Sequence, residues 1–519
     1  MSASTSLSRV TGFVRTWAIA YALGRTLIAS SYAVANNIPN MVFELVAGGI
    51  VSALFIPIFL ERWERDSRED AWDFASTVFN LATVALSVVA IAGTIWAEAF
   101  VRTQTFRITP EEAALATYFF RFFAVQIVFY GAGAIINALL NSQRRYFWPA
   151  IAPVFNNLVV IVTLLGFYVP FRDTNPDLAK AGLAIGTSLG VLAMVVVPIP
   201  DLIRLRPRYA LRINLRHPAL RLMGRMAVPS VLYVVTNLVA VSFRNAYALQ
   251  VSLEGPATLL YAWMFYQLPY GVLGVALATA VFTELSDQAG RDDWTAFKGT
   301  FLRGFRATGL LILPMAAMLV ALAEPLVTLY QAGRFTAEDV PAVAQILRWW
   351  GVALFFYASS MFVLRTFYSL KDTRTPMIVN GVLTVLQVGL YATLTVGLAG
   401  WAGIGLAGIP VTDMIFYALL LATLVFILRR RVGRIGGRDA SSTLVRVAAA
   451  SVAGGGVAYG LLVLTESMAS LPAGFLLQLA ICGVAGLGTA YGLSAAFGVS
   501  EVAEGVRAIR GLPRRLRGG

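Results

Sequence analysis

One cysteine and one histidine in 519 residues leave little material for thiol or imidazole chemistry. Cys482 has no second cysteine to pair with, and His217 lies in a basic loop, where a solvated side chain is the ordinary reading. No HExxH, CxxC or GxxxxGK(S/T) pattern occurs, so no metal site, catalytic residue or nucleotide-hydrolysing loop is predicted. Neither a cofactor nor enzymatic activity is expected. Charge is scarce as well: Asp, Glu, Lys and Arg make up 13% of the chain, against about 25% in an average soluble domain. Nor do the loops, at most about twenty residues, give room for a soluble domain with a core of its own. A cleavable signal is not expected, because Arg9 and Arg15 interrupt the stretch that would have to be apolar.

What the chain has in quantity is apolar side chains, 58% of its residues. Long apolar runs without strand-like alternation predict helices, since a helix satisfies its own backbone inside a hydrocarbon core about 30 Å thick. Runs between charged or Pro/Gly-rich breaks predict an all-α polytopic membrane protein of about fourteen transmembrane helices. Its domains are expected to be a six-helix lobe over residues 1–215, a second six-helix lobe over 216–432, and two further helices with a basic tail over 433–519. With that topology 30 of the 41 Lys and Arg fall in loops on one side and 6 on the other. The bias predicts both termini in the cytoplasm of a cell-membrane protein. The net charge of +14 is spread over short loops beside the spans, which points to anionic membrane lipids as partners and away from nucleic acid.

An internal duplication is visible. RFFAVQIVFY from Arg121 matches RWWGVALFFY from Arg348 at an offset of 227, without gaps through Ser142 and Ser369 to Pro149 and Pro376. Pro39 meets Pro269 at an offset of 230. Six spans separate the copies, an even number, so both halves are expected to insert with the same orientation and to carry a site serviced by alternating access.

Five arginines fall inside spans: Arg9, Arg15, Arg121, Arg244 and Arg348. Each is costly in hydrocarbon, so they are expected to face protein, water or substrate. Arg9 and Arg15 stand six residues apart on the first span, about 9 Å along its axis, with Gly12 between them to admit close approach. A guanidinium binds phosphate oxygens bidentately and does not deprotonate. Arg9, Arg15 and Arg244 are therefore candidate substrate-binding residues for a phosphate-bearing ligand, together with Asn37 and Asn40 around the kink expected at Pro39. Arg9 also fits snorkelling to the near interface. Arg121 and Arg348, near span ends, fit snorkelling or structural pairing. Glu44 and Asp413 are read as buried acids that balance an arginine or hold a coupling cation.

SRVTGFVR (Ser8 to Arg15), NNIPN (Asn36 to Asn40), PYGVLGVALAT (Pro269 to Thr279), QAGRFTAEDV (Gln331 to Val340) and FYSLKDTRTP (Phe367 to Pro376) resemble, taken in order, the MurJ/MviN lipid II flippases of the multidrug/oligosaccharidyl-lipid/polysaccharide exporter superfamily. The resemblance covers residues 5 to 430. It implies transfer of an undecaprenyl-diphosphate-linked peptidoglycan precursor to the outer leaflet of a bacterial inner membrane, without nucleotide hydrolysis, in cell-wall biogenesis and cell shape. It carries the two family arginines onto Arg9 and Arg15 and suggests cell-wall synthesis proteins as partners. The alternatives are export of another polyprenyl-linked glycan or amphiphile, and a transport-dead scaffold. The sequence departs from the family pattern at Ser30, where an acid is usual, at Phe43 and Glu44, where a basic pair is usual, and at Trp263 and Met264, in place of Asp-Arg. Arg244 is the expected substitute for the lost cation.

Overall fold

A computed structural model describes residues 2–45, 55–65, 67–214, 218–398, 400–433, 435–467 and 474–502. His217, residues 46–54 of the second expected span and the basic tail lie outside them. The described chain is helical, with two isolated bridges, Ala332 with Phe335 and Leu398 with Trp401, and no strand. It folds into two compact units, residues 1–260 with 330–336, and residues 261–329 with 337–519. The unit boundary falls at Leu260, beyond the repeat boundary expected near residue 216.

The first unit contains α1 (Ser2–Leu23), α2 (Leu27–Phe43), α3 (Ile56–Arg65), α4 (Arg68–Ile95), α5 (Ala97–Thr105), α6 (Pro110–Phe123), α7 (Gln126–Ser142), α8 (Phe147–Val162), α9 (Val169–Phe171), α10 (Pro176–Val196), α11 (Ile199–Ile203), α12 (Pro218–Val251) and the start of α13 (Gly255–Pro269). In it α8 packs between α1 and α10, α6 packs on α2, and α7 on α4. The second unit holds the rest of α13 with α14 (Val275–Gly290), α15 (Trp294–Ala321), α16 (Ala323–Thr328), α17 (Val340–Ser369), α18 (Arg374–Leu390), α19 (Gly408–Val432), α20 (Gly437–Leu464) and α21 (Gly474–Ala496). There α17 lies against α15 and α19, and α20 joins α15 to α21.

Among the described residues ten helices are long and apolar enough to cross a bilayer, and α6 with α7, bent by 45°, makes an eleventh. The expected fourteen are not reached on that criterion. The arginines of α1 lower its hydropathy, and α2 has 17 residues before its continuation leaves the described chain. Helix starts follow local chemistry. Thr109 caps α6 and forms a reciprocal box with Glu112, Ser67 caps α4, and Asn175 caps α10 ahead of Pro176. Each side-chain oxygen satisfies an amide that has no partner within its helix.

The duplication extends into irregular structure. The π-helical segment Thr163–Tyr168 after α8 recurs as Tyr391–Val396 after α18. After Ser142 and after Ser369 the chain turns in the same way: Arg144 and Lys371 adopt φ of 58° and 56°. The amides of Arg145 and Asp372 then reach back to the carbonyls of Leu140 and Phe367, at 2.9 and 3.0 Å, a helix stop of the Schellman type. The next contact is conserved with its signs exchanged. Arg145 pairs with Asp201 at 2.6 Å in the first unit, and Asp372 pairs with Arg431 at 2.5 Å in the second.

Because each acid is only 11% exposed, losing its closer partner leaves a largely desolvated charge poorly compensated, with only Arg204 at 3.9 Å remaining beside Asp201. Arg145→Ala should cost about 1–3 kcal/mol, read as a fall in the thermal unfolding midpoint in detergent. Arg145→Asp combined with Asp201→Arg, made with Arg204→Ala to remove the cation beside position 201, should be more stable than Arg145→Ala with Arg204→Ala, since the other unit already carries the reversed pair; a reversal no more stable than that reference rejects the equivalence. At Asp372, burial by itself would raise the carboxyl, but hydrogen bonds from Thr375 and the Arg431 guanidinium outweigh it and hold it below the usual carboxylate range. Its contribution is thus complete above pH about 4 and is lost as pH falls through the depressed value. Unfolding midpoints measured from pH 6 to pH 3 should fall less steeply for Asp372→Asn than for the wild type.

Candidate functional site

Within the first unit, α1, α2, α7, α8 and α10 enclose a cavity of about 230 Å³. Arg15 enters from α1; Tyr32, Asn36, Asn40 and Phe43 line it from α2, Tyr130 from α7, Pro153, Asn156 and Val160 from α8, and Thr187, Val191 and Met194 from α10. No carboxylate belongs to this lining among the described residues. The space has room for several waters or for a phosphate or diphosphate group.

The polar wall is fixed by its own hydrogen bonds. Thr187 shares one of 3.3 Å with the Tyr32 hydroxyl, and Asn40 Nδ2 donates to the carbonyl of Asn36 at 2.7 Å. Phe43 rests on Tyr130, ring centroids 5.0 Å apart. Arg15 lies within electrostatic reach of Tyr32 and Tyr130. Two buried atoms of the lining, Arg15 Nε and Asn156 Oδ1, have no hydrogen-bond partner among the described residues. An orphaned donor and an orphaned acceptor in one cavity mark it as a place for polar guests, since such groups are normally satisfied.

The predicted site residues divide. Arg15 and Asn40 line the cavity, whereas Arg9 and Gly12 are not among its lining residues. The segment of α1 beside them is tied to α8 by Asn157 Nδ2, which donates to Thr11 Oγ1 at 3.0 Å. Asn37 turns the other way: its Nδ2 donates to Gln104 Oε1 at 3.1 Å, as does Asn245 Nδ2 at 2.6 Å. Pro39 is buried in α2. Arg244, on α12, stands within electrostatic reach of Glu44. Arg348 pairs with Glu324 at 2.7 Å inside the second unit, and Arg121 is exposed.

Two expectations are corrected. Glu44 is exposed and not buried, while Phe43 beside it packs on Tyr130; its reading as a charge partner keeps Arg244 within electrostatic reach. Asp413 is buried at 5% exposure but has no arginine partner among its contacts. Trp350 Nε1, Gln387 Nε2 and the Tyr391 hydroxyl donate to it at 2.9, 3.1 and 2.5 Å, so neutral donors satisfy the carboxyl. The departures from the family pattern also have structural roles. Ser30 Oγ accepts from the Ala257 amide at 3.2 Å in the first turn of α13, and Trp263 packs on Tyr266 and Trp350.

Sequence reasoning missed Tyr32, Tyr130, Asn156 and Thr187. The amide pair Asn156-Asn157 inside an apolar run, and Tyr130 recurring as Tyr357 in the duplicated segment, were available signals. One pattern in the lining is a false lead: Gly186 to Gly190 reads GTSLG, a hydrolase-like GxSxG, yet it lies within α10 and Ser188 donates to the Phe122 carbonyl at 2.9 Å. A nucleophile elbow needs a sharp turn between strand and helix. These glycines serve packing.

Helices alone, many spans and a cationic internal cavity define a polytopic membrane transporter. Solved structures agree on the fold. A lipid II flippase MurJ in an inward closed conformation superposes with TM-score 0.78 at 21% identity, covering 96% of this chain and 99% of that one. A MATE family multidrug transporter in an inward-facing conformation gives 0.68 at 18%, covering 84% and 96%. The family model described as lipid II flippase MurJ matches residues 19–480. The probable lipid II flippase MurJ of Rhizobium meliloti (strain 1021) is 30% identical over 405 residues, 75% of this chain and 72% of its own length. The lipid II flippase MurJ of Burkholderia cenocepacia is 30% identical over 403 residues, 75% and 76%. The chain belongs to the MurJ family.

Gly190 is where α10 touches the cavity wall: a Cβ there would lie 2.6 Å from Asn156 Oδ1 and 3.1 Å from its carbonyl oxygen. Gly190→Ala should therefore displace Asn156 and cost about 1–3 kcal/mol, seen as a lower unfolding midpoint. A midpoint equal to wild type overturns the assigned contact.

Proposed function

We propose that this chain is a lipid II flippase, carrying an undecaprenyl-diphosphate-linked precursor from the cytoplasmic to the outer leaflet of the inner membrane by alternating exposure of its site to the two faces. The observation that carries the site is Arg15: a permanent cation with an unpartnered buried Nε, walled by amides and hydroxyls, with no carboxylate among the described residues of the lining. A guanidinium in low dielectric attracts phosphate oxygens far more strongly than one in water does. The tyrosine hydroxyls and Asn36, Asn40 and Asn156 replace part of the hydration that a diphosphate gives up on entry. The 230 Å³ cavity accommodates that group while the sugars, peptide and polyprenyl chain stay outside it. Arg244 serves as a second cation, tempered by Glu44. Both termini lie in the cytoplasm, as the one-sided distribution of Lys and Arg indicates, and anionic lipids surround the basic loops.

The test is translocation of labelled lipid II in proteoliposomes, with wild type, Arg15→Lys and Arg15→Ala reconstituted at equal density. Charge-assisted hydrogen bonds are worth about 1.5–3 kcal/mol, so Arg15→Ala should lower the rate about ten- to hundredfold. Arg15→Lys should fall between, because it keeps the charge and loses the fork. Wild-type rates for Arg15→Ala would remove the assigned site. Translocation of a different polyprenyl-diphosphate glycan with none for lipid II would move the substrate.

A further inference from the structure

A second cleft in the first unit, about 440 Å³, opens between α3 and the turn that joins α7 to α8. Ile56, Leu60, Trp63 and Glu64 form one side, and Asn141 to Arg144 with Tyr146 form the other. Several of the described charges around it are engaged. Arg62 pairs with Asp70, Arg145 and Arg204 pair with Asp201, and Arg68 sits 5.1 Å from the centroid of the Trp63 ring. Two of the charges that line the cleft itself stand apart. The side chains of Glu64 and Arg144 make no hydrogen bond or ion pair among the described residues, with each other or with anything else.

Arg144 also holds a backbone conformation, φ 58°, that side chains other than Gly, Asn and Asp rarely adopt. A glycine would end α7 at no conformational cost; an arginine there presents a guanidinium at the mouth of the cleft. Both side chains are exposed, and charges of both signs on one recess offer complementary partners to a ligand carrying both. The cleft lies between the end of α7 and the start of the apolar span that begins with α8, the level at which such a span would meet lipid headgroups, and it carries Trp63 and Tyr146, residues of the kind that collect at that level. Ile56 and Leu60 offer an apolar floor.

We propose that this cleft is a binding site for a zwitterionic phospholipid headgroup of the phosphoethanolamine type, with Arg144 holding the phosphate, Glu64 the primary ammonium, and the apolar floor the first carbons of the acyl chains. The assignment goes beyond translocation and is independent of it: the lipid is a resident of the boundary and no cargo. A primary ammonium donates three hydrogen bonds to a carboxylate and its neighbours, while a quaternary one donates none and a glycerol headgroup carries no cation.

The full-length protein in detergent is titrated with phosphatidylethanolamine, phosphatidylcholine and phosphatidylglycerol of identical acyl chains, with thermal unfolding and native mass spectrometry as readouts. Phosphatidylethanolamine should raise the midpoint most and should remain bound at the highest collision energy. Glu64→Gln should erase the difference between phosphatidylethanolamine and phosphatidylglycerol. Arg144→Gly, which keeps the turn, should weaken all three lipids at least tenfold. No preference for phosphatidylethanolamine in the wild type, or a preference untouched by both variants, overturns the proposal. Displacement of the bound lipid by a soluble muramyl peptide bearing a free amine and carboxylate overturns it as well, in favour of a cargo-docking cleft. Flipping rates enter none of these readouts, so they stand whether or not the chain translocates lipid II.

Discussion

A guanidinium cannot give up its charge, and the fold around Arg15 is organised by that constraint. An aspartate or lysine placed at the same depth can neutralise itself; an arginine has to be solvated by what surrounds it. Around it the cavity wall carries weak donors and acceptors on four other helices: Tyr32, Asn36 and Asn40 on α2, Tyr130 on α7, Asn156 on α8, Thr187 on α10, with Arg15 Nε itself left without a hydrogen-bond partner among the described residues. With no acid among the described residues of that lining, the cavity keeps positive potential available to a guest, where an ion pair would have spent it.

The two copies show how one architecture supports different interiors. Phe43 on Tyr130 and Tyr270 on Tyr357 are the same aromatic pair at the repeat offset of 227, with centroids 5.0 and 4.8 Å apart. Around the first pair the space stays open and polar. Around the second, Trp263, Tyr266, Trp350 and Tyr417 crowd in, and Asp413 is closed off by Trp350, Gln387 and Tyr391. The departures at Phe43 and Trp263 therefore read as packing choices.

What could be read from the sequence was whatever leaves a one-dimensional trace. Apolar runs located α4, α8, α10 and α15 to α21, the repeat offset joined α7 to α17, and the cost of charge in hydrocarbon singled out Arg15. What could not be read depends on which way a side chain turns. Asn37 and Asn40 differ by three residues, yet one faces Gln104 and the other the cavity. Glu44 and Asp413 look alike as acids within apolar runs, and only three-dimensional placement makes one exposed and the other enclosed. The π-helical segments left no signal because a wide turn arises from backbone spacing that no residue type announces.

The exchanged signs of the pairs Arg145–Asp201 and Asp372–Arg431 have a bearing on assembly. Two halves descended from one ancestor carry matching surfaces, and a nascent chain could dock the last span of one half on the wrong sibling. With the polarity reversed, a mistaken docking would set arginine against arginine or aspartate against aspartate in a partly dry niche, a repulsion that correct docking avoids. On electrostatic grounds the reversal disfavours an exchange of parts between two look-alike bundles in a single polypeptide.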